Sequence, residues 1–371
     1  MKTIGILTAY AHKLHIARPE LLNALKEAGY RIVVFGLEEQ ELGEEALASA
    51  GIKYISIPVE RKKLNPFAEL KSCRYLAEKA KENHVDLLYS YGIRLAPLCD
   101  IAAKRGKLPA VNTINGAGTL FVTGGIKGLI MRMVIVPVIV YSMRFAKKVI
   151  FQNKDDYNMF RKMMLVKESQ HVIVNGSGVN VSKFEALPLP EKLSFGFDCR
   201  MTPEKGIYEL LNAFSRVKQK FPEAELNIAG ALDGLEKSDV MNMFNQMIRD
   251  GTINYFNEVS DIKSFLRNCR IFVFPSYREG TPRSVLEAMA CGRPVITTDA
   301  PGCRETVIAG ENGILVKPKD IDTLTDAMLK LCQDPDMALK MGEKSRSIAE
   351  EKFDVNKINN IVIEQINSLL D

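Results

Sequence analysis

The chain has no Cys-x-x-Cys pair anywhere in its 371 residues. Its seven cysteines (Cys73, Cys99, Cys199, Cys269, Cys291, Cys303, Cys332) are scattered and odd in number. That excludes a zinc finger of usual spacing and a disulfide scaffold, and fits a reducing compartment. No charged-then-apolar leader precedes the strand-like run Ile4-Gly5-Ile6-Leu7, so no signal peptide is expected. Internal repeats and low-complexity tracts are missing, and no apolar run reaches the ~20 residues a membrane span needs. What remains is an ordinary globular composition, 46% hydrophobic and 26% charged. The length suggests two domains, because single cores stop growing near ~250–300 residues.

The net charge of +5 conceals an uneven distribution. Residues 1–170 hold 26 Lys+Arg against 16 Asp+Glu (+10), and residues 171–371 hold 24 against 29 (−5). Within the basic half, residues 101–170 alone carry 12 against 3, or +9. Nucleic acid, an anionic membrane surface or phosphorylated ligands would each suit that stretch.

Strand-like apolar runs alternate with helical patterns twice over. The first series is Lys2–Thr8, Arg31–Gly36, Tyr54–Ile57, Asp86–Ser90, Ala110–Ile114 and Lys148–Gln152. The second is Ser194–Phe197, Glu225–Ala229, Ile271–Phe274, Val295–Thr298 and Gly313–Val316. Such alternation predicts two doubly wound α/β domains facing a cleft, with ligands at the carboxyl ends of the strands. The boundary falls near Asn175-Gly176-Ser177-Gly178: residues 1–172, joined by a C-terminal helix within 354–371, form one domain, and residues 173–353 the other.

Two segments carry the chemistry. In Phe274-Pro275-Ser276-Tyr277-Arg278-Glu279-Gly280-Thr281-Pro282-Arg283-Ser284-Val285-Leu286-Glu287, a buried strand gives way to a glycine-containing loop and a helix near Arg283. Free N–H groups at a helix start suit a phosphate or a sugar hydroxyl. Glu279 and Glu287 could both accept hydrogen bonds from hydroxyls; taken alone, the pattern reads more readily as a solvated Glu279 and a helix-forming Glu287. In Phe197-Asp198-Cys199-Arg200-Met201-Thr202-Pro203-Glu204-Lys205-Gly206, two cations five residues apart follow a strand. Arg200 as a fork and Lys205 as a point charge could clamp a diphosphate, or be surface charges.

In order, these segments together with Ala288-Met289-Ala290-Cys291-Gly292, Pro294-Val295-Ile296, Gly302, Glu305 and Asn312-Gly313 resemble the family 4 retaining glycosyltransferases of the GT-B fold. The resemblance spans residues 172–350. It implies that Arg200 and Lys205 neutralise the diphosphate of a nucleotide sugar, and that Glu279 and the backbone of Gly280, Thr281 and Pro282, with Ser284 beside them, hold the donor. Glu287 would accept from the ribose hydroxyls. It further implies same-face transfer with retention, no cofactor, and no metal; Asp320-Ile321-Asp322 and Asp334-Pro335-Asp336 are expected to be helix caps. Cys199 stands where the family usually has glycine, and Asn115-Gly116-Ala117-Gly118 lacks the histidine that many members place there.

The segment Thr113–Phe121, with Leu64-Asn65-Pro66 and Asn175-Gly176-Ser177-Gly178-Val179-Asn180, resembles a subset that extends sugars on polyprenyl diphosphate. Acceptor contacts are accordingly expected at His15, Asn115, Gly116 and Gly118; His12, Lys13 and Arg18 also follow the first strand. The apolar run Met133–Met143, flanked or interrupted by Lys127, Arg132, Arg144, Lys147 and Lys148, suits a helix lying at a membrane interface, with Pro137 bending it and anionic headgroups meeting its cations. A helix buried on its own sheet is the alternative.

The expected protein is a hexosyltransferase using a UDP-sugar and a polyprenyl-diphosphate-linked saccharide at the inner face of the cell membrane. The alternatives are a nucleotide-sugar epimerase of the same fold, a transferase with a soluble acceptor, and a silent partner of a synthesis complex. Nucleic acid is disfavoured because the basic stretch is apolar rather than studded with aromatics.

Overall fold

The computed structural model describes residues 1–59, 66–116, 125–234 and 239–371, with the side chains of His12, Lys13, residues 66–69, 126–128, 130–132 and 134 left out. By its contacts the chain divides into two units, Met1–Val174 with Asn356–Asp371, and Asn175–Val355.

The first unit is built on a parallel sheet of order β3-β2-β1-β4-β5-β6-β7. Its strands are β1 (Thr3–Thr8), β2 (Arg31–Gly36), β3 (Lys53–Ser56), β4 (Leu87–Tyr91), β5 (Ala110–Ile114), β6 (Lys148–Phe151) and β7 (His171–Ile173). Every residue of β1 is buried, as expected of a central parallel strand covered on both faces. Alternate side chains therefore enter different layers. Ile4, Ile6, Ile32 and Val34 pack in one core that also takes Ile358, Val362 and Ile366 from the helix Val355–Leu370. Leu7, Val33 and Phe35 pack in another with Leu76, Leu98 and Ala102.

The second unit repeats the plan with order β10-β9-β8-β11-β12-β13: β8 (Ser194–Asp198), β9 (Glu225–Ala229), β10 (Asn254–Tyr255), β11 (Ile271–Phe274), β12 (Val295–Thr298) and β13 (Gly313–Val316). All pairings are parallel. The strand order reverses between β1 and β4 in one unit and between β8 and β11 in the other. These are the topological switch points, where the carboxyl ends of an open sheet leave a crevice.

Eleven strands lie where the hydrophobic runs put them, within a residue or so; β7 and β10 were not foreseen. Both are edge strands of three and two residues, half-buried throughout, so neither has an apolar run to announce it. Asp320 and Asp334 are caps, accepting from the N–H groups of Thr323 (3.0 Å) and Met337 (2.8 Å) at the starts of helices Ile321–Gln333 and Pro335–Lys352.

The apolar run lies in the helix Gly125–Met143, with Pro137 inside it. Ile139 and Met143 are buried against Ile114, Phe151 and Phe160, with Ile135, Val136 and Val140 packed on the same cluster. Leu129, Met133, Val138 and Tyr141 are exposed. One face of the helix is thus packed on its own sheet, as the alternative expectation had it, and another leaves these apolar side chains exposed. Among the described residues no helix is long and apolar enough to cross a membrane.

Candidate active site at the β8/β11 switch point

After β8 the chain makes a turn through Arg200 and a short 3-10 turn, Pro203–Lys205, before the helix Ile207–Lys220. Gly206 joins them at φ +73° and lies so close to the end of β11 that a Cβ there would fall 2.2 Å from the Pro275 carbonyl oxygen. Glycine alone lets the two loops meet.

They are stitched together by backbone and side chain. Tyr277 N–H donates to the Glu204 carbonyl (2.9 Å) and Ser276 Oγ reaches the same oxygen (3.3 Å). Tyr277 Oη donates to Glu209 Oε1 (2.7 Å) on the helix that follows; Glu209 is buried, and its Oε2 has no partner. Burial and then the Glu209 carboxylate raise the Tyr277 pKa, so the phenol stays a donor. Above this stitch Lys205 Nζ pairs with Glu279 Oε1, both largely shielded at 21% and 15% exposure, and Ser276 Oγ donates to the same carboxylate oxygen (2.7 Å).

The remaining expected donor-site residues continue along the loop. Gly280, Thr281 and Pro282 are buried, and Ser284 is half-buried. Thr281 Oγ1 donates to the Gly280 carbonyl (2.8 Å). Pro282 precedes the helix Arg283–Ala290, and no side chain caps that helix's first turn. Glu287, almost wholly buried, accepts from Arg283 Nε (2.7 Å). The acids of the site are thus held apart: Glu279 is paired with Lys205 and Glu287 with Arg283. The two cations are also separately engaged, since Arg200 Nη1 lies 3.2 Å from Asp233 Oδ2, both exposed.

Three features escaped the sequence reading. Asp233, beyond β9, neutralises Arg200; nothing local marks it. The Tyr277–Glu209 bond spans 68 positions. Asp198, the last residue of β8, has its carboxyl pushed up to about 7 by burial and by Glu287, with Arg283 opposing; its place directly after Phe195-Gly196-Phe197 was the available signal. Burial raises the thiol of Cys199 as well, only partly offset by Lys205, and all seven cysteines are free thiols.

In the first unit the expected acceptor contacts that are described follow two strands, β1 and β5. His15 lies in the helix Ala11–Ala17 with Nε2 3.5 Å from Ser49 Oγ and Nδ1 buried without a partner. It is thus directed toward the end of the helix Gln40–Ala48. Asn115 is exposed just past β5, followed by Gly116 in positive φ; Gly118 lies outside the described residues, as do Leu64 and Asn65. Arg144 and Lys147 are exposed beyond the helix Gly125–Met143, while the side chains of Lys127 and Arg132 are not described. Among the described residues no cluster of three or more His, Cys, Asp or Glu could hold a metal ion.

Two Rossmann-like units, each open at a switch point and one with paired cations and acids there, define the GT-B glycosyltransferase architecture. Solved structures agree. HepE of Anabaena, in complex with UDP and glucose, matches over all of both chains with a TM-score of 0.80 at 21% identity. Sucrose-phosphate synthase of Thermosynechococcus elongatus matches over 100% of this chain and 99% of its own at 0.77 and 19%. Residues 182–348 match the family described as glycosyl transferases group 1, and residues 17–176 the glycosyl transferase 4-like domain. The chain belongs to this glycosyltransferase family and is a hexosyltransferase. It is 28% identical over 370 residues, 96% of each chain, to the N,N'-diacetylbacillosaminyl-diphospho-undecaprenol alpha-1,3-N-acetylgalactosaminyltransferase of Campylobacter jejuni. It is also 28% identical over 221 residues, 55% of this chain and 56% of the relative, to the capsular polysaccharide biosynthesis glycosyltransferase CapM of Staphylococcus aureus.

Proposed function

We propose that the protein transfers a hexose or N-acetylhexosamine, with retention, from a UDP-sugar to a saccharide carried on polyprenyl diphosphate. The observation that carries this is the shielded Lys205–Glu279 pair at the β8/β11 crevice, in a chain similar end to end to a transferase named for a diphospho-undecaprenol acceptor. An ammonium has three N–H donors. Glu279 takes one and fixes the side chain, leaving two for the diphosphate. Among the described residues Arg200 is tied to Asp233 in an exposed pair, a weak bond, and exchanges it for the fork-like contact a phosphate offers. Both cations then stabilise charge as it develops on the leaving UDP.

Glu279, the backbone N–H groups of Gly280 and Thr281, and Pro282 beside them form the sugar side of the site. Ser284 and the uncapped first turn of its helix face the phosphates, and Glu287, oriented by Arg283, accepts from the ribose. Attack on the same face as the departing phosphate needs no protein nucleophile. The exposed Leu129, Met133, Val138 and Tyr141, with Arg144 and Lys147 beyond the helix end, suit a peripheral position on an anionic membrane surface, at its cytoplasmic face. The first unit takes the acceptor and the second the donor.

The test is a screen of UDP-hexoses and UDP-N-acetylhexosamines against polyprenyl-diphosphate-linked mono- and disaccharides, read by UDP release and product mass. A product one sugar heavier is expected. No UDP release from any pair, or conversion of UDP-N-acetylglucosamine with no acceptor present, would refute the reading.

A further inference from the structure

The first unit has its own switch point, between β1 and β4, and polar side chains from three elements gather at its carboxyl edge. Arg18 separates the helices Ala11–Ala17 and Pro19–Glu27 that follow β1. Tyr91 ends β4, and Gln152 follows β6. The Arg18 guanidinium donates to Tyr91 Oη and also lies over the ring, its Cζ 5.0 Å from the centroid. Gln152 Nε2 donates to the same oxygen at 3.2 Å. Gln152 is 4% exposed, so its amide is held in place, whereas Arg18 and Tyr91 are half-buried.

A phenol has one proton and two lone pairs. Here both lone pairs accept, one from a cation, so the O–H is polarised and must point its proton elsewhere. Among the described residues it donates to nothing. Next in the chain stands Gly92, at φ +105°, where the nearest atom to an added Cβ would be Asn115 Oδ1 at 3.5 Å. Asn115 is exposed. A polarised hydroxyl and a guanidinium beside a glycine edge are matched to an oxyanion, since they offer donors and positive charge.

We propose that Arg18, Tyr91 and Gln152 form a binding site for a phosphate-class oxyanion. Its occupant during turnover is the diphosphate of the lipid-linked acceptor, a step that rests on the function proposed above. Arg18 supplies the charge, Tyr91 the directed hydrogen bond, and Gln152 positions the phenol.

The experiment is calorimetric titration of the full chain with inorganic pyrophosphate, with UDP at saturation so that the donor crevice is filled. Tyr91→Phe keeps the ring under Arg18 and removes only the hydroxyl; it should weaken pyrophosphate binding roughly ten- to a hundredfold. Arg18→Gln should weaken it at least as much. UDP affinity should not change in either, and thermal melts confirm that both are folded. In the transferase assay Tyr91→Phe should raise the acceptor KM and leave the KM for the UDP-sugar alone. Unchanged pyrophosphate affinity in Tyr91→Phe overturns the site, even if the wild type glycosylates lipid-linked acceptors. Tyr91-dependent pyrophosphate binding in a protein that turns over no lipid-linked diphosphate keeps the site and overturns the acceptor assignment, free phosphate then being its ligand.

Discussion

Removing the Tyr277 hydroxyl should loosen the second unit and slow the enzyme through one cause. Tyr277 Oη is the partner of Glu209 Oε1 at 2.7 Å, and Oε2 of that buried carboxylate has none. Tyr277→Phe therefore leaves a buried acid with neither oxygen bonded. A hydrogen bond to a charged group contributes about 1.5–3 kcal/mol, and stranding its partner adds a desolvation penalty. We expect a loss of about 2–4 kcal/mol, at the upper end of what one substitution does. Adding Glu209→Gln relieves the stranded charge, so the double variant should recover at least about 1 kcal/mol relative to Tyr277→Phe, a coupling that a double-mutant cycle measures. Because Tyr277 leads the loop that carries Glu279, kcat should fall with stability and partly return in the double variant. Urea unfolding of the four proteins, with kcat for each, is the assay. A Tyr277→Phe protein within about 0.5 kcal/mol of wild type, or a strictly additive double variant, would refute the argument.

Further outcomes follow from the same geometry. Lys205→Ala should cut kcat by about 10²–10³, the scale of losing one preorganised electrostatic donor, while UDP still binds through the rest of the site; kinetics with a calorimetric UDP titration will tell. Gly206→Ala forces a Cβ to 2.2 Å from the Pro275 carbonyl in a left-handed conformation, so it should destabilise the second unit by more than the ~1 kcal/mol of a Gly-to-Ala strain alone and lower its melting temperature; an unchanged melt contradicts the contact. Asp198 has a folded pKa raised from 3.8 to about 7. Its proton is held more tightly by the folded state, so its contribution favours folding at acid pH and is lost as pH rises toward 7. Asp198→Asn should therefore gain stability over wild type at pH 8 that it lacks at pH 4; an equal difference at both values in denaturant titrations counts against the shift.

How much of this could be read before the fold was known depends on where the information sits. The central strands, such as β1 and β11, are continuous apolar runs bounded by loop residues, and those announce themselves in a single sequence. The edge strands β7 and β10 are stabilised by one neighbour each rather than by burial, and their residues carry no such mark. Asp320 and Asp334 were legible as caps because a cap acts on N–H groups three residues away. The proposed donor site was legible as a set of residue types but not as a set of pairs. Lys205 and Glu279 are 74 positions apart, and Arg200 and Asp233 sit on different loops, so only parallel pairing of the sheet brings each to its partner. His15 was legible by its position after β1, but not by its neighbour: the helix Ala11–Ala17 sets its Nε2 3.5 Å from Ser49 Oγ, 34 positions away.

The helix Val355–Leu370 closes the core of the unit that begins with β1. In a chain made from the N-terminus onward, residues 175–355 are complete before Ile358, Val362 and Ile366 exist to cover Ile4 and Ile6. The second unit can thus finish folding while the first still exposes one layer of its sheet. The order of maturation is the reverse of the order of synthesis, and chaperones meeting the nascent chain would find their apolar target in its oldest part.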